Sequence, residues 1–77
     1  MTLQELLNGL PQGTKLSSTA DFHKSTKKGV HRGSVAKAIQ VVKEAGYADK
    51  EAEKDGDYIA VYSGGMWFPW RAFHLES

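Results

Sequence analysis

The sequence predicts an α+β fold in which three helices are followed by a two- or three-stranded antiparallel sheet, all within one domain. Three observations carry this. Apolar residues recur at helical spacing near both ends of the first 45 residues, alternation replaces that period beyond Gly46, and 77 residues leave no room for a second core. Hydrophobic residues at 40% and charged residues at 25% are ordinary globular values, which argues against a disordered chain.

The first helix is expected over residues 2–10. Thr2 caps it, Glu5 completes a capping box, and Leu3, Leu6, Leu7 and Leu10 form one apolar stripe. Gly9 and Pro11 end it, and Pro11-Gln12-Gly13 is turn chemistry. Residues 14–17 are short and extended at most. A second helix follows over residues 18–26, with Asp21 placed favourably in its first turn and Phe22 as its main anchor to the core. Lys27-Lys28-Gly29 breaks the pattern.

The third helix, residues 34–45, is the clearest element. Gly33 or Ser34 caps it, Val35, Ala38, Ile39 and Val42 face one way, and Ala36, Lys37, Gln40 and Lys43 face the other. Gly46 stands where helices often end in a left-handed residue. Strands are expected over residues 47–53, 58–63 and 66–73, with Asp55-Gly56-Asp57 as a hairpin turn and Ser63-Gly64-Gly65 as another. Pro69 should keep the last strand on a sheet edge or make it irregular.

The net charge of +1 hides a division along the chain. From Phe22 to Val42 there are Lys24, Lys27, Lys28, Arg32 and Lys37 and no acid. From Glu44 to Asp57 there are Glu44, Asp49, Glu51, Glu53, Asp55 and Asp57 against Lys50 and Lys54. This asymmetry suggests a surface made to meet a polyanion, although two solvated faces that neutralise each other are the commoner case. Cysteine is absent, which removes disulfides and thiolate metal sites and fits a reducing, cytoplasmic setting. No apolar run approaches the ~20 residues that cross a bilayer, and no signal peptide is visible, so a membrane role is not expected.

The element order and the stretch GVHRGSVAKAIQVVKEAGY, residues 29–47, resemble a winged helix-turn-helix of the GntR-like pattern. In that pattern a Gly-Val-Ser-Arg-Ser/Thr-Thr-Val turn opens a recognition helix. Here Val35 is followed by Ala38, Ile39, Val42, Gly46 and Tyr47 at the matching offsets. The resemblance implies that the apolar positions seat the third helix on the first two. It also implies that the helix enters the major groove of double-stranded DNA, as a transcriptional regulator's would. Two departures stand out: the turn between Phe22 and Val35 is about two residues longer than usual, and the expected wing, residues 48–57, is acidic.

On this DNA-binding reading Arg32 forks onto a guanine edge and Gln40 pairs with adenine, while His31, Ser34 and Lys37 hold base or backbone contacts. Lys24, Lys27 and Lys28 clamp phosphates. The bland alternative is that all eight are exposed helix faces.

A protein-interaction or inhibitor module is the rival. Its site would be Trp67, Phe68, Trp70 and Arg71, with the acidic wing, and it would bind a protein partner or a second copy as a homodimer. The bland alternative here is that these aromatics complete the core. Catalysis is not expected, because no nucleophile–base pairing stands out and the acids lie in an exposed hairpin. His23, His31 and His74 lack metal-site spacing, so neither a metal nor a cofactor is expected.

Overall fold

The computed structural model describes residues 1–62 and 68–76. Its elements run α1 (Leu3–Asn8), β1 (Lys15–Ser18), α2 (Ala20–Thr26), β2 (Gly33–Ser34), α3 (Val35–Ala45), β3 (Ala52–Asp55), β4 (Tyr58–Val61) and β5 (Trp70–Glu76). All five strands join one antiparallel sheet in the order β2-β1-β5-β4-β3.

This corrects the expected architecture. The α+β class holds, but a winged helix-turn-helix with a terminal two- or three-stranded sheet does not describe the chain. Strands interleave with the helices, and the sheet has five members. The segment read as barely extended, Lys15–Ser18, is an interior strand hydrogen-bonded on both sides. The helical arrangement differs for a related reason. Phe22 is the only buried residue of α2, so α2 offers no apolar groove to α3. It docks on β5 instead, where the Phe22 ring meets Phe73 with centroids 4.9 Å apart. α3 packs chiefly on α1.

Local chemistry sets the element ends. Thr2 and Glu5 form a reciprocal capping box: the Glu5 N–H donates to Thr2 Oγ1 at 3.2 Å and the Thr2 N–H to Glu5 Oε1 at 2.9 Å. Those bonds, the backbone one first, hold the Glu5 carboxyl below its ordinary range. A depressed carboxylate pKa contributes stability that is present above the unfolded value of ~4.3 and lost as pH falls through the lower folded value. The melting temperatures of wild type and Glu5→Gln should therefore differ at neutral pH and converge in acid. Thr2→Ala should cost about 1 kcal/mol by thermal melt, as loss of an N-cap does. α3 begins at the Ser34 cap and ends at Gly46, whose φ of 79° is the left-handed value expected there.

Sheet alternation places Leu16, Leu75, Phe73, Ile59, Val61 and Ala52 on the helix-covered face. Lys15, Ser17, His74, Glu76, Tyr58 and Asp55 lie on the other. A register shift between Ile59 and Ala60 modifies the pattern, bringing both Phe73 and Trp70 to the core side, where Trp70 meets Tyr47 edge-on at 6.2 Å. Without that shift, strict alternation along β5 would place Trp70 and Phe73, three residues apart, on opposite faces. Pro69 directly precedes β5, which sits in the middle of the sheet, so the edge placement expected from Pro69 is corrected, while the register shift leaves Ala72 of β5 as an extra residue opposite β4. Tyr47–Lys50, expected to open a strand, instead turns back, with the Lys50 N–H donating to the Tyr47 carbonyl. Among the described residues no helix is long and apolar enough to cross a membrane.

Candidate nucleic-acid interface

The basic residues converge on the segment that runs from the end of α2 into α3. Thr26 anchors its start: the hydroxyl donates to the Phe22 carbonyl at 2.8 Å and accepts from the Lys28 N–H at 3.1 Å. Lys27, the residue after α2, has φ 58°, a left-handed conformation that favours glycine.

Next, the segment is pinned to β1. Ser18 Oγ accepts from the Val30 N–H at 2.7 Å, and the Ser18 N–H donates to the Val30 carbonyl at 3.0 Å. His23 Nε2 lies 3.0 Å from the same hydroxyl. The ring lies so close to Gly29 that a methyl group there would collide with it. Ser18 and His23 are five apart across a strand–helix junction, and sequence reading missed the pair. With its oxygen already engaged by the Val30 backbone, Ser18 serves as a bracket for the basic segment.

Arg32, with φ 61°, is the second left-handed residue. Among the described residues, Lys27 and Arg32 are the only two non-glycines at positive φ, and both are cations in this segment. Arg32 Nε lies 2.6 Å from Glu76 Oε2, an ion pair that sequence reading could not find across so long a separation. β2 follows and pairs with β1, and a Cβ at Gly33 would collide with the Val30 side chain.

Lys24, Lys27, Lys28, His31, Arg32, Ser34, Lys37 and Gln40 are all exposed. Lys24, Lys27, Lys28 and Lys37 make no ion pair with any described residue. The Ser34 hydroxyl is occupied in capping α3, where it accepts from the Lys37 N–H at 3.2 Å, so it positions the helix.

Asp21 lies on α2 and Glu76 beside Arg32, whereas the β3 acids lie away from this segment. Glu53 and Asp55 are on β3, at the sheet edge opposite β2. Four strand spacings separate β2 from β3, about 19 Å. That is more than twice the ~8 Å Debye length at physiological ionic strength, so the acidic edge does not neutralise the basic one. Two acids are further engaged locally: Glu53 accepts from the Tyr62 hydroxyl at 2.8 Å, and Asp55 lies 3.7 Å from Arg71 Nε.

No protein family, curated protein or solved structure matches this chain. Its residues carry the functional argument alone.

The rival aromatic site is less assembled. Trp67 lies outside the described residues. Trp70 packs against Tyr47 on the core, and Arg71 lies over the Tyr58 ring at 4.3 Å. Phe68, at 77% exposed, is the one described aromatic of that group open to a partner. Among the described residues, no three His, Asp or Glu side chains gather as a metal site would require.

Proposed function

We propose that this protein binds double-stranded DNA through the segment Lys27–Ser34 and the exposed face of α3. One observation carries the reading: Lys24, Lys27, Lys28 and Lys37 are exposed and unpaired among the described residues, while the β3 acids Glu53 and Asp55 lie on the sheet edge opposite β2. Lys24, Lys27, Lys28 and Lys37 supply phosphate contacts. Gln40 and the N-terminal turns of α3 approach base edges in the major groove, the role of a regulator that recognises an operator.

Backbone conformation supports the same reading. A cation held at a left-handed position costs stability that glycine would not, and such costs cluster at functional sites. Lys27→Gly and Arg32→Gly should each leave the melting temperature unchanged or raise it by the equivalent of about 0.5–1 kcal/mol, while weakening duplex binding. A fall in stability with binding intact would show that the side chains serve the fold.

The decisive experiment titrates the folded protein against a fluorescent mixed-sequence duplex over a range of salt. Four phosphate contacts give a slope of log K on log salt of about −3.6. A protein that is folded by circular dichroism and does not bind at low salt would exclude this function. In that event Phe68 becomes the leading feature, as the anchor of a protein partner, because of its exposure. Phe68→Ser would then be expected to abolish partner binding with the fold intact.

A further inference from the structure

We propose that the notch around Arg32 is a phosphate subsite whose resting occupant is the protein's own Glu76 carboxylate. The notch has a volume of about 240 Å³ and is lined by Ser17, Ser18, His31, Arg32 and Glu76. Apart from Glu76, and from the Ser18 hydroxyl that is engaged by the Val30 backbone, the lining groups are ones that phosphate oxygens accept from: the Ser17 hydroxyl, the His31 imidazole and the Arg32 guanidinium. Glu76 supplies the single anion, 2.6 Å from Arg32 Nε.

Two features make this more than a surface ion pair. The Arg32 side chain stays 70% exposed while paired, so most of its planar fork remains open for a bidentate acceptor. Its backbone is held at φ 61° at a position glycine would fill without strain. That position sets a cation at the mouth of the notch, immediately before the strand that leads into α3.

Glu76 reaches the notch from β5. Its backbone pairs with Lys15, and Lys15 in turn with Ser34, so the carboxylate is carried across the sheet to the start of α3 by strand register. It thus competes with an incoming phosphate for Arg32 and lowers the affinity of the whole basic face. The proposal rests on the DNA-binding reading for its biological ligand, but the anion chemistry stands apart from it.

The test compares wild type with Glu76→Gln, Glu76→Asp, Arg32→Ala and the double variant Arg32→Ala/Glu76→Gln. The probes are a mixed-sequence duplex and inorganic phosphate, the latter followed through the Arg32 Nε–H resonance. Glu76→Gln should bind duplex roughly three- to tenfold tighter, with a salt slope steeper by about 0.9, the increment of one added phosphate contact. Glu76→Asp, with a shorter reach, should fall between. In the Arg32→Ala background, the effect of Glu76→Gln should disappear.

Equal or weaker phosphate binding by folded Glu76→Gln overturns the proposal. So does an equal gain in duplex affinity with Arg32 absent, since it would reflect net charge alone. If phosphate binds more tightly at Arg32 in Glu76→Gln but no variant binds duplex, the subsite stands and the DNA-binding function falls.

Discussion

A variant carrying Lys27→Ala, Lys28→Ala and Lys37→Ala is expected to keep its fold and lose duplex affinity on the order of 10²-fold in moderate salt. The three side chains are exposed and unpaired among the described residues, so their removal takes no ion pair from the protein. Surface substitutions of this kind usually change stability by less than about 0.5 kcal/mol each. Lys27→Ala conforms as well, because alanine and lysine are equally unsuited to φ 58° and the strain is unchanged. Each lost phosphate contact should also shallow the salt slope by about 0.9, or about 2.7 for all three. A fluorescence-anisotropy titration at several salt concentrations measures both quantities. A matching variant at Glu53 and Asp55, on the opposite sheet edge, should leave the slope unchanged if about 19 Å of separation screens the acids as argued.

Phe22→Ala should come close to abolishing the fold. Phe22 is fully buried, its ring lies 4.9 Å from Phe73 and 5.9 Å from Tyr47, and it is the sole buried residue of α2. Truncating a core phenylalanine costs about 3–5 kcal/mol. A domain of this length has a total stability of only about 4–12 kcal/mol at the usual per-residue range. Thermal unfolding followed by circular dichroism should show a broad transition or none. Phe22→Leu, which keeps most of the volume, should retain a cooperative melt at lower temperature. Phe68→Ala, by contrast, should leave the melt nearly unchanged, since that ring is 77% exposed. Because α2 is held by this one side chain, duplex binding by Phe22→Leu should weaken where Lys24 and Lys27 lose their positions.

What the sequence made legible follows the range of the interactions. The capping box of Thr2 and Glu5, the Ser34 cap and the left-handed Gly46 are settled by residues within four positions of each other, and all were readable. So was the turn at Asp55-Gly56-Asp57, where Gly56 takes φ 60°. The apolar face of α3 was readable too, with Val41 joining the residues that periodicity named. The sheet was not. Lys15–Ser18 is a four-residue strand with one buried side chain, and its partners lie far along the chain in both β2 and β5. Nothing in a polar segment of that length specifies two neighbours. The same limit applies to the candidate site. Its cations are a local cluster and could be named one by one, but Ser18, His23 and Glu76, which shape the cluster, reach it through pairings that local pattern does not encode.

The position of β5 has a consequence for biosynthesis. It is the latest strand in the sequence, yet it occupies the middle of the sheet and supplies the partner for both β1 and β4. A ribosome delivers the chain in the opposite order. Until residue 76 has emerged, β1 has only the two-residue β2 beside it, and β3 with β4 is a lone hairpin of the kind that is marginal in water. Joining β1 to β5 closes a loop of about sixty residues, a long-range pairing whose closure entropy must be met before the sheet is complete. Through that interval Leu16, Phe22 and Ile59 lack the completed sheet that buries them. A chain truncated before β5 is therefore expected to lack a cooperative melt, because both β1 and β4 lose their shared partner.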